Sequence, residues 1–262
     1  MAKLRVEICN MDALEYLATI QDETVQVICT DPPYWTLDKW RNIGTTTRLG
    51  GNRKEGDQRP EMFFETIDMK YLWECFLEFD RILSLDGHLY IFADDIVSAI
   101  LMNWVQEAQG DHRFGGAHLL VWDKVNMGMG YHYRHRYEHI LFAWREKREG
   151  VRGFKPRRLR DLGKADVFQY KRVTGKYPTE KPSALVGELV TQSLRIGETC
   201  CDPFCGSGVL ASAVPFSYNA KILLNDKSPQ SMEYMKDKWH QDLLSSGAFD
   251  VIWDSPRIVE HT

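Results

Sequence analysis

Two hydrophobic periods alternate along the chain. Residues 25–29 (VQVIC) form a β-branched run that ends in Thr30-Asp31-Pro32-Pro33-Tyr34, which predicts a buried strand followed by a proline-fixed turn. Upstream, residues 13–19 carry apolar side chains at helical spacing. Residues 71–85 are amphipathic with the helical period and predict a helix closed by Asp86-Gly87. A strand at 88–93 (HLYIFA) and a helix at 97–109 follow. Strands at 119–122 and 137–143 read as a hairpin across the glycine-rich stretch 127–130. A helix at 182–194 opens on Pro182, well placed in a first turn. A strand at 198–204 runs into Cys205-Gly206-Ser207-Gly208 and a helix from 209 to about 213. A strand at 220–224 and a helix at 231–239 come next. Strands alternating with helices predict an α/β fold, a doubly wound and largely parallel sheet.

Two stretches interrupt this alternation. Residues 35–60 are polar and rich in Gly, Arg and Thr, and read as a long loop; residues 145–176 show little periodicity. Both are basic. The second holds twelve Lys or Arg against four Asp or Glu, and residues 36–59 hold six against three. The whole chain has a net charge of −4, so the remainder is distinctly acidic. Segregated charge of this kind fits either a polyanion bound on one face or two solvated loops.

Composition narrows the class. With 262 residues, 44% hydrophobic and 27% charged, the chain has the balance of a globular protein and not of a disordered or collagen-like one. It has no run of about 18 apolar residues, so no membrane span is expected. The N-terminus lacks an apolar h-region, so no secretory signal is expected either. The six cysteines show no CxxC pairing and mostly lie in apolar runs. They read as buried thiols in a reducing cytoplasm, not as a disulfide or zinc framework.

Two motifs carry chemistry. Asp202-Pro203-Phe204-Cys205-Gly206-Ser207-Gly208 sits at a strand-to-helix junction, where glycines allow a tight turn and close approach of a ligand. Asp226 ends the next strand, 18 residues after Gly208, where an acid can accept hydrogen bonds from both ribose hydroxyls of a nucleoside. A third glycine is missing, since Val209-Leu210-Ala211 follow, which counts against a pyrophosphate cradle and so against NAD. The second motif is Asp31-Pro32-Pro33-Tyr34. Two prolines fix φ and remove donors, leaving nearby carbonyls as acceptors. A carboxylate and a carbonyl together can hold both hydrogens of an exocyclic amino group. That favours a tetrahedral nitrogen whose lone pair can attack a methyl sulfonium. Tyr34 could stack on an extruded base, and Trp35 could extend that wall.

In these residues the chain resembles the β group of amino-directed DNA methyltransferases. In that group a DPPY motif precedes an FxGxG-type cofactor motif, the order of Asp31–Tyr34 and Phe204–Gly208 here. Asp12, in Asn10-Met11-Asp12-Ala13-Leu14, resembles the acid that meets the cofactor adenine. Residues 81–93 resemble the helix–Gly–strand unit after DPPY. Residues 122–124 and 130–141 resemble the WxK and YR..YE blocks. Residues 177–189, with Lys181, resemble the block that opens the cofactor half. The resemblance implies a Rossmann-like S-adenosylmethionine-dependent methyltransferase fold, permuted so that the catalytic half is N-terminal. It implies one domain over 1–262, with DNA-recognition insertions at 35–60 and 145–176. It further implies Asp31, Pro32, Pro33 and Tyr34 as catalytic, and Asp12, Asp31, Lys181, Asp202, Phe204, Gly206, Ser207, Gly208 and Asp226 as cofactor-binding. Double-stranded DNA is the implied partner, with a homodimer and a cognate restriction nuclease as further ones, in a bacterial or phage-infected cytoplasm. Two departures stand out: Val209-Leu210 replace the usual Thr-Thr, and Asp226 stands where Glu is common.

Arg134 and Arg136, with Arg157, Arg158 and Arg160, are candidate phosphate contacts. His132, His135 and His139 would not share one face of a strand, so no metal site is expected. The expected activity is methylation of the adenine N6 amino group in DNA. Methylation of the cytosine amino group is the nearest alternative. Methylation of RNA or a protein amide, a catalytically silent DNA-binding subunit and an NAD oxidoreductase are more distant ones. A related family with NPPY after the cofactor motif has the reverse order.

Overall fold

A computed structural model describes residues 3–37, 65–107, 114–128, 132–145, 155–174, 177, 179–242 and 249–253. The strands are β1 (Leu4–Cys9), β2 (Val25–Thr30), β3 (Leu83–Ala93), β4 (Phe114–Asp123), β5 (Tyr137–Arg145), β6 (Val167–Gln169), β7 (Thr199–Asp202), β8 (Lys221–Asn225) and β9 (Phe249–Trp253). Among the described residues they form one nine-stranded sheet in the order β6-β4-β5-β3-β2-β7-β8-β1-β9. Only β5 runs antiparallel to its neighbours β3 and β4. The hairpin expected from the sequence is present, with Leu119 opposite Leu141.

The helices are α1 (Ala13–Ala18), α2 (Met69–Ile82), α3 (Asp95–Glu107), α4 (Ser183–Ser193), α5 (Val209–Ala213) and α6 (Pro229–Asp242). They cover both faces of the sheet. Val27 and Cys29 of β2 join a core with Leu185 and Leu189 of α4, Leu210 of α5 and Met235 of α6. Ile28, pointing the other way, joins Leu17 of α1, Phe76 and Phe79 of α2 and Leu101 of α3. Burial on both faces explains why β2 reads as a near-continuous apolar run. All six cysteines are buried thiols.

Several elements depart from the sequence reading. Helix α2 stops at Ile82, and β3 begins at Leu83 without a loop. Asp86-Gly87 is therefore not a helix stop. It lies inside β3, where the β2–β3 register shifts between Val25 and Val27. A Cβ on Gly87 would come 2.7 Å from Leu83 Cδ2, so the glycine serves a close approach within an irregular strand. Strands β1, β6 and β9 were not anticipated, and β6 lies inside the basic stretch. Arg145, which opens that stretch, is 1% exposed. It pairs with Asp80 at 3.4 Å and donates to the Leu83 carbonyl. Of the expected insertion at 35–60, Trp35–Leu37 forms a short 3-10 helix and 38–60 lies outside the described residues. Residues 146–154 and 175–176 of the second insertion do as well. Among the described residues no helix is long and apolar enough to cross a membrane.

The topology fixes where a ligand can go. From β7 the chain proceeds to β8 on one side, and from β2 to β3 on the other. β2 and β7 are parallel neighbours, with Ile28 beside Cys201. Their carboxyl ends flank the switch point at which open α/β sheets bind ligands. Both chemistry-bearing motifs lie at those ends.

Candidate active site

A cleft of about 1260 Å³ opens above the switch point, lined by Asp12, Asp31–Tyr34, Tyr177, Lys181, Asp202–Ser207 and Asp226 among others. The glycine turn builds one wall. Gly206 and Gly208 have φ of +50° and +70°, which L side chains rarely adopt. A Cβ on Gly206 would meet the Tyr177 hydroxyl at 3.0 Å; one on Gly208 would meet Met235 Sδ and the Trp239 ring at 2.6 Å. The turn is fitted against α6 and Tyr177, and Gly208 caps α5. Asp226 holds the turn from β8. Its Oδ2 accepts from the Gly206 amide at 2.8 Å and its Oδ1 from the Ser228 amide at 2.8 Å. Burial pushes its carboxyl up against those two bonds. The Ser231 side chain also donates to this carboxylate, which leaves it capacity for a further donor.

Asp202 sits deeper. It accepts from Thr30 Oγ1 at 2.7 Å and the Phe204 amide at 3.1 Å. Burial still pushes its carboxyl up to about 7. It ties β2 to β7 and shapes the floor. Asp12 caps α1 at the far end of the cleft, where its Oδ1 accepts from the Leu14 amide at 3.0 Å and the Tyr71 hydroxyl at 2.7 Å. Ser207 is buried at 3% exposure, and Val209 lines the cleft in place of a hydroxyl.

Charged side chains build the opposite wall. Lys181 Nζ pairs with Asp31 Oδ2 and lies 3.1 Å from Glu138 Oε1. Glu138 in turn meets Lys124 Nζ at 2.8 Å. Lys181 rests over the Phe92 and Trp122 rings, with centroids at 5.0 and 6.0 Å. Burial pushes the Asp31 carboxyl up, while the Lys181 ammonium pulls it down and the Glu138 carboxylate pushes it up again. Burial opposes charge on Lys181, but Asp31 and Glu138 together hold it protonated. Glu138 is held down to about 2 by Lys181 and Lys124, against its own burial. The Pro32 carbonyl accepts from the Tyr34 amide at 2.9 Å, and Pro33 from the Ile67 amide at 2.8 Å. The prolyl carbonyls are thus partly engaged, not wholly free as the sequence suggested. Each retains one lone pair. Tyr34 is 4% exposed and lines the cleft.

The structure therefore brings together Asp31, Pro32, Pro33, Tyr34, Asp12, Lys181, Asp202, Phe204, Gly206, Ser207 and Asp226 in one cleft. Gly208 acts from behind, as the cap of α5. Lys181, assigned to the cofactor by resemblance, is bound directly to Asp31. Glu138 and Lys124 lie in the stretches that resemble family blocks, but nothing local in sequence places them beside residue 31.

The arginine candidates divide. Arg157 is not available to phosphate. It is 7% exposed and donates to Glu198 at 2.7 and 2.8 Å and to the Ser193 carbonyl at 2.7 Å, with Asp86 Oδ2 at 3.2 Å. It is a buried brace between β3, α4 and the approach to β7. Arg158 and Arg160 are exposed, and Arg160 donates to the Tyr218 hydroxyl at 3.0 Å. Arg134 and Arg136 are exposed; Arg134 lines the cleft and donates to the Gly128 carbonyl, while Arg136 pairs with Asp123.

A cleft at this switch point, with a glycine turn on one side and a strand-end acid beside it, is built as a site for a nucleoside cofactor. Comparison with known proteins makes the class specific. Residues 25–237 match the N6_N4 DNA methylase family, and the chain belongs to it. Methyltransferases of this family use S-adenosylmethionine. The chain is 25% identical to the type II methyltransferase M.HhaII of Haemophilus parahaemolyticus, over 75% of this chain and 80% of that one. It is 27% identical to the DNA adenine methyltransferase YhdJ of Escherichia coli, over 76% and 71%. The fold is shared with the M1.HpyAVI–SAM complex at a TM-score of 0.59 and 17% identity, covering 89% of this chain and 99% of that one. It is also shared with the cytosine-N4-specific PvuII DNA methyltransferase at 0.60 and 13%, covering 88% and 85%.

Proposed function

We propose that this chain transfers a methyl group from S-adenosylmethionine to the N6 amino group of adenine at specific sites in double-stranded DNA. The observation that carries the reading is the position of Asp31-Pro32-Pro33-Tyr34 across one cleft from the Gly206–Asp226 wall. The cofactor supplies an electrophilic methyl on a sulfonium. Asp226 and Asp12 offer carboxylates to the hydroxyls and amino group of its nucleoside. The Gly206 turn lets the ligand approach the backbone. Lys181 occupies Asp31 Oδ2 and leaves Oδ1 without a partner among the described residues. Asp31 Oδ1 and the Pro32 carbonyl can then each accept one hydrogen of an extruded amine and turn its lone pair toward the methyl. The Tyr34 ring supplies a face for the base. The bound cofactor would supply its methyl directly to that nitrogen and leave as a thioether, and Asp31 Oδ1, already accepting from the amine, would take the proton the methylated amine releases. Positioning and exclusion of water carry the rate.

Arg134, Arg136, Arg158 and Arg160 are the proposed phosphate contacts. A single domain with recognition insertions at 35–60 and 145–176, a homodimer, a cognate restriction nuclease and a cytoplasmic location complete the reading. The likeness to the cytosine-N4-specific PvuII enzyme supports a second reading, methylation of the cytosine amino group by the same geometry. Incubation with labelled S-adenosylmethionine and mixed-sequence duplexes, followed by nucleoside analysis, tests both. Label in N6-methyladenine is expected. Label in N4-methylcytosine would establish the second reading, and no label in either base would overturn both.

A further inference from the structure

The charged wall holds more groups than the transfer uses. Asp31 and the Pro32 carbonyl suffice to hold an amine, yet three further charges are lined up behind Asp31, in the order Lys181, Glu138, Lys124. Their side chains are 11%, 13% and 19% exposed, so the line is shielded along its length. Burying four charges is costly unless each is paired, and here every one is. They come from four places far apart in sequence: the end of β2, the approach to α4, β5, and the turn after β4.

We infer that Glu138 and Lys124 are positioning residues that divide the Lys181 ammonium between two carboxylates and so keep Asp31 a strong, one-sided acceptor for the target amine. This rests on the methyltransferase reading above. An ammonium shared with Glu138 neutralises Asp31 only in part. It fixes Oδ2 and leaves Oδ1 charged and directed at the cleft. Without Glu138 the ammonium would pair with Asp31 alone and blunt it. Without Lys124, Glu138 would be undercompensated and would draw Lys181 away from Asp31. Other titratable groups face Asp31 as well: Cys29 from β2, Tyr34, Asp202 from β7 and Tyr177. Neither substitution below alters them.

The two changes carry opposite signs. Glu138→Gln removes a negative charge near Asp31, so the acid limb of the pH–rate profile should move down by about one unit. Lys124→Met removes a positive charge, so the same limb should move up. Both should slow single-turnover methylation of DNA by about tenfold to a hundredfold, through misplacement of the acceptor. The dissociation constant for S-adenosylmethionine should change less than about threefold in each. Single-turnover rates at several pH values, with calorimetric cofactor binding, read all of this. Lys124 is more exposed than Glu138, so Lys124→Met keeps the test decisive if Glu138→Gln does not fold. Rates that fall while the limb stays in place would make the pair merely structural and overturn the inference. Limbs that move the same way, or wild-type behaviour in a folded variant, would overturn it too. A wild-type protein that transfers no methyl to DNA would overturn the reading itself, and this inference with it.

Discussion

The two walls of the cleft are held by different means. On the β7–α5–β8 side the wall is a glycine turn with two left-handed residues, braced by Asp226, whose carboxylate accepts from the Gly206 amide. Packing fixes that wall: a Cβ on Gly208 would clash with Met235 and Trp239, and one on Gly206 would press on the Tyr177 hydroxyl. On the β2–β5 side the facing atoms are the ends of long charged side chains, and pairing fixes them. A wall of backbone has one shape and suits a cofactor that never varies. A wall of paired charges can be tuned from a distance and suits a group whose acceptor strength must be set. Changes on the first wall should therefore alter affinity or stability, and changes on the second should alter turnover.

The largest break in that contrast is Asp31→Ala. Losing a charge-assisted acceptor for the reacting amine should slow methyl transfer at least a hundredfold, on the order of 3 kcal/mol. Cofactor affinity should hold, because the proposed mechanism sets Asp31 against the amine and not the cofactor. Near-normal turnover would remove Asp31 from the chemistry. Next comes Gly208→Ala on the other wall. A Cβ at φ +70°, 2.6 Å from Met235 Sδ and Trp239, combines backbone strain with overpacking. Unfolding stability should fall by about 2–3 kcal/mol, read by chemical denaturation. Asp226→Ala follows. It should weaken S-adenosylmethionine binding by about tenfold to a hundredfold, or roughly 1.5–3 kcal/mol for bonds to a charged acceptor. Calorimetry decides, and unchanged affinity would leave Asp226 as a brace for the Gly206 and Ser228 amides alone.

The same contrast explains what the sequence made legible. The backbone wall is local: strand, glycine turn, helix and strand-end acid lie within 25 residues, from Asp202 to Asp226. Periodicity and glycine placement suffice to find it. Strand β2 and its diproline turn are equally local. The paired wall is not, because Lys181 and Glu138 are 150 and 107 positions from Asp31 and meet it only through sheet order. Strands β6 and β9, at the two edges of the sheet, are short, and there pairing and not pattern makes the strand; β1 lies inside the sheet between β8 and β9, and its Leu4-Arg5-Val6-Glu7-Ile8 alternation does carry the strand period. Asp86-Gly87 misled because a helix stop and a bulge use the same residues. Arg157 misled because local charge counts do not reveal burial, and its partners Asp86 and Glu198 are 71 and 41 residues away.

The smallest effect concerns the basic stretch, and it turns on that last correction. Arg145 and Arg157 are buried in ion pairs, so they add nothing to the field a duplex would meet. The exposed positive charge described there is correspondingly less than the sequence count, and Arg158 and Arg160 remain accessible. If they touch phosphate, each contact releases counterions from DNA. Neutralising both to Gln should then lower the slope of log K against log salt by about one unit per lost contact. The weakening should be alike on cognate and scrambled duplexes, because phosphate carries no sequence. Melting temperature should stay within about 2 °C, since surface changes of this kind seldom exceed about half a kcal/mol. Loss on the cognate duplex alone would instead mean that one of the two reads a base edge. Unchanged slope and affinity on both would make this surface a solvated one and leave Arg134, which lines the cleft, and Arg136 as the contacts to test next.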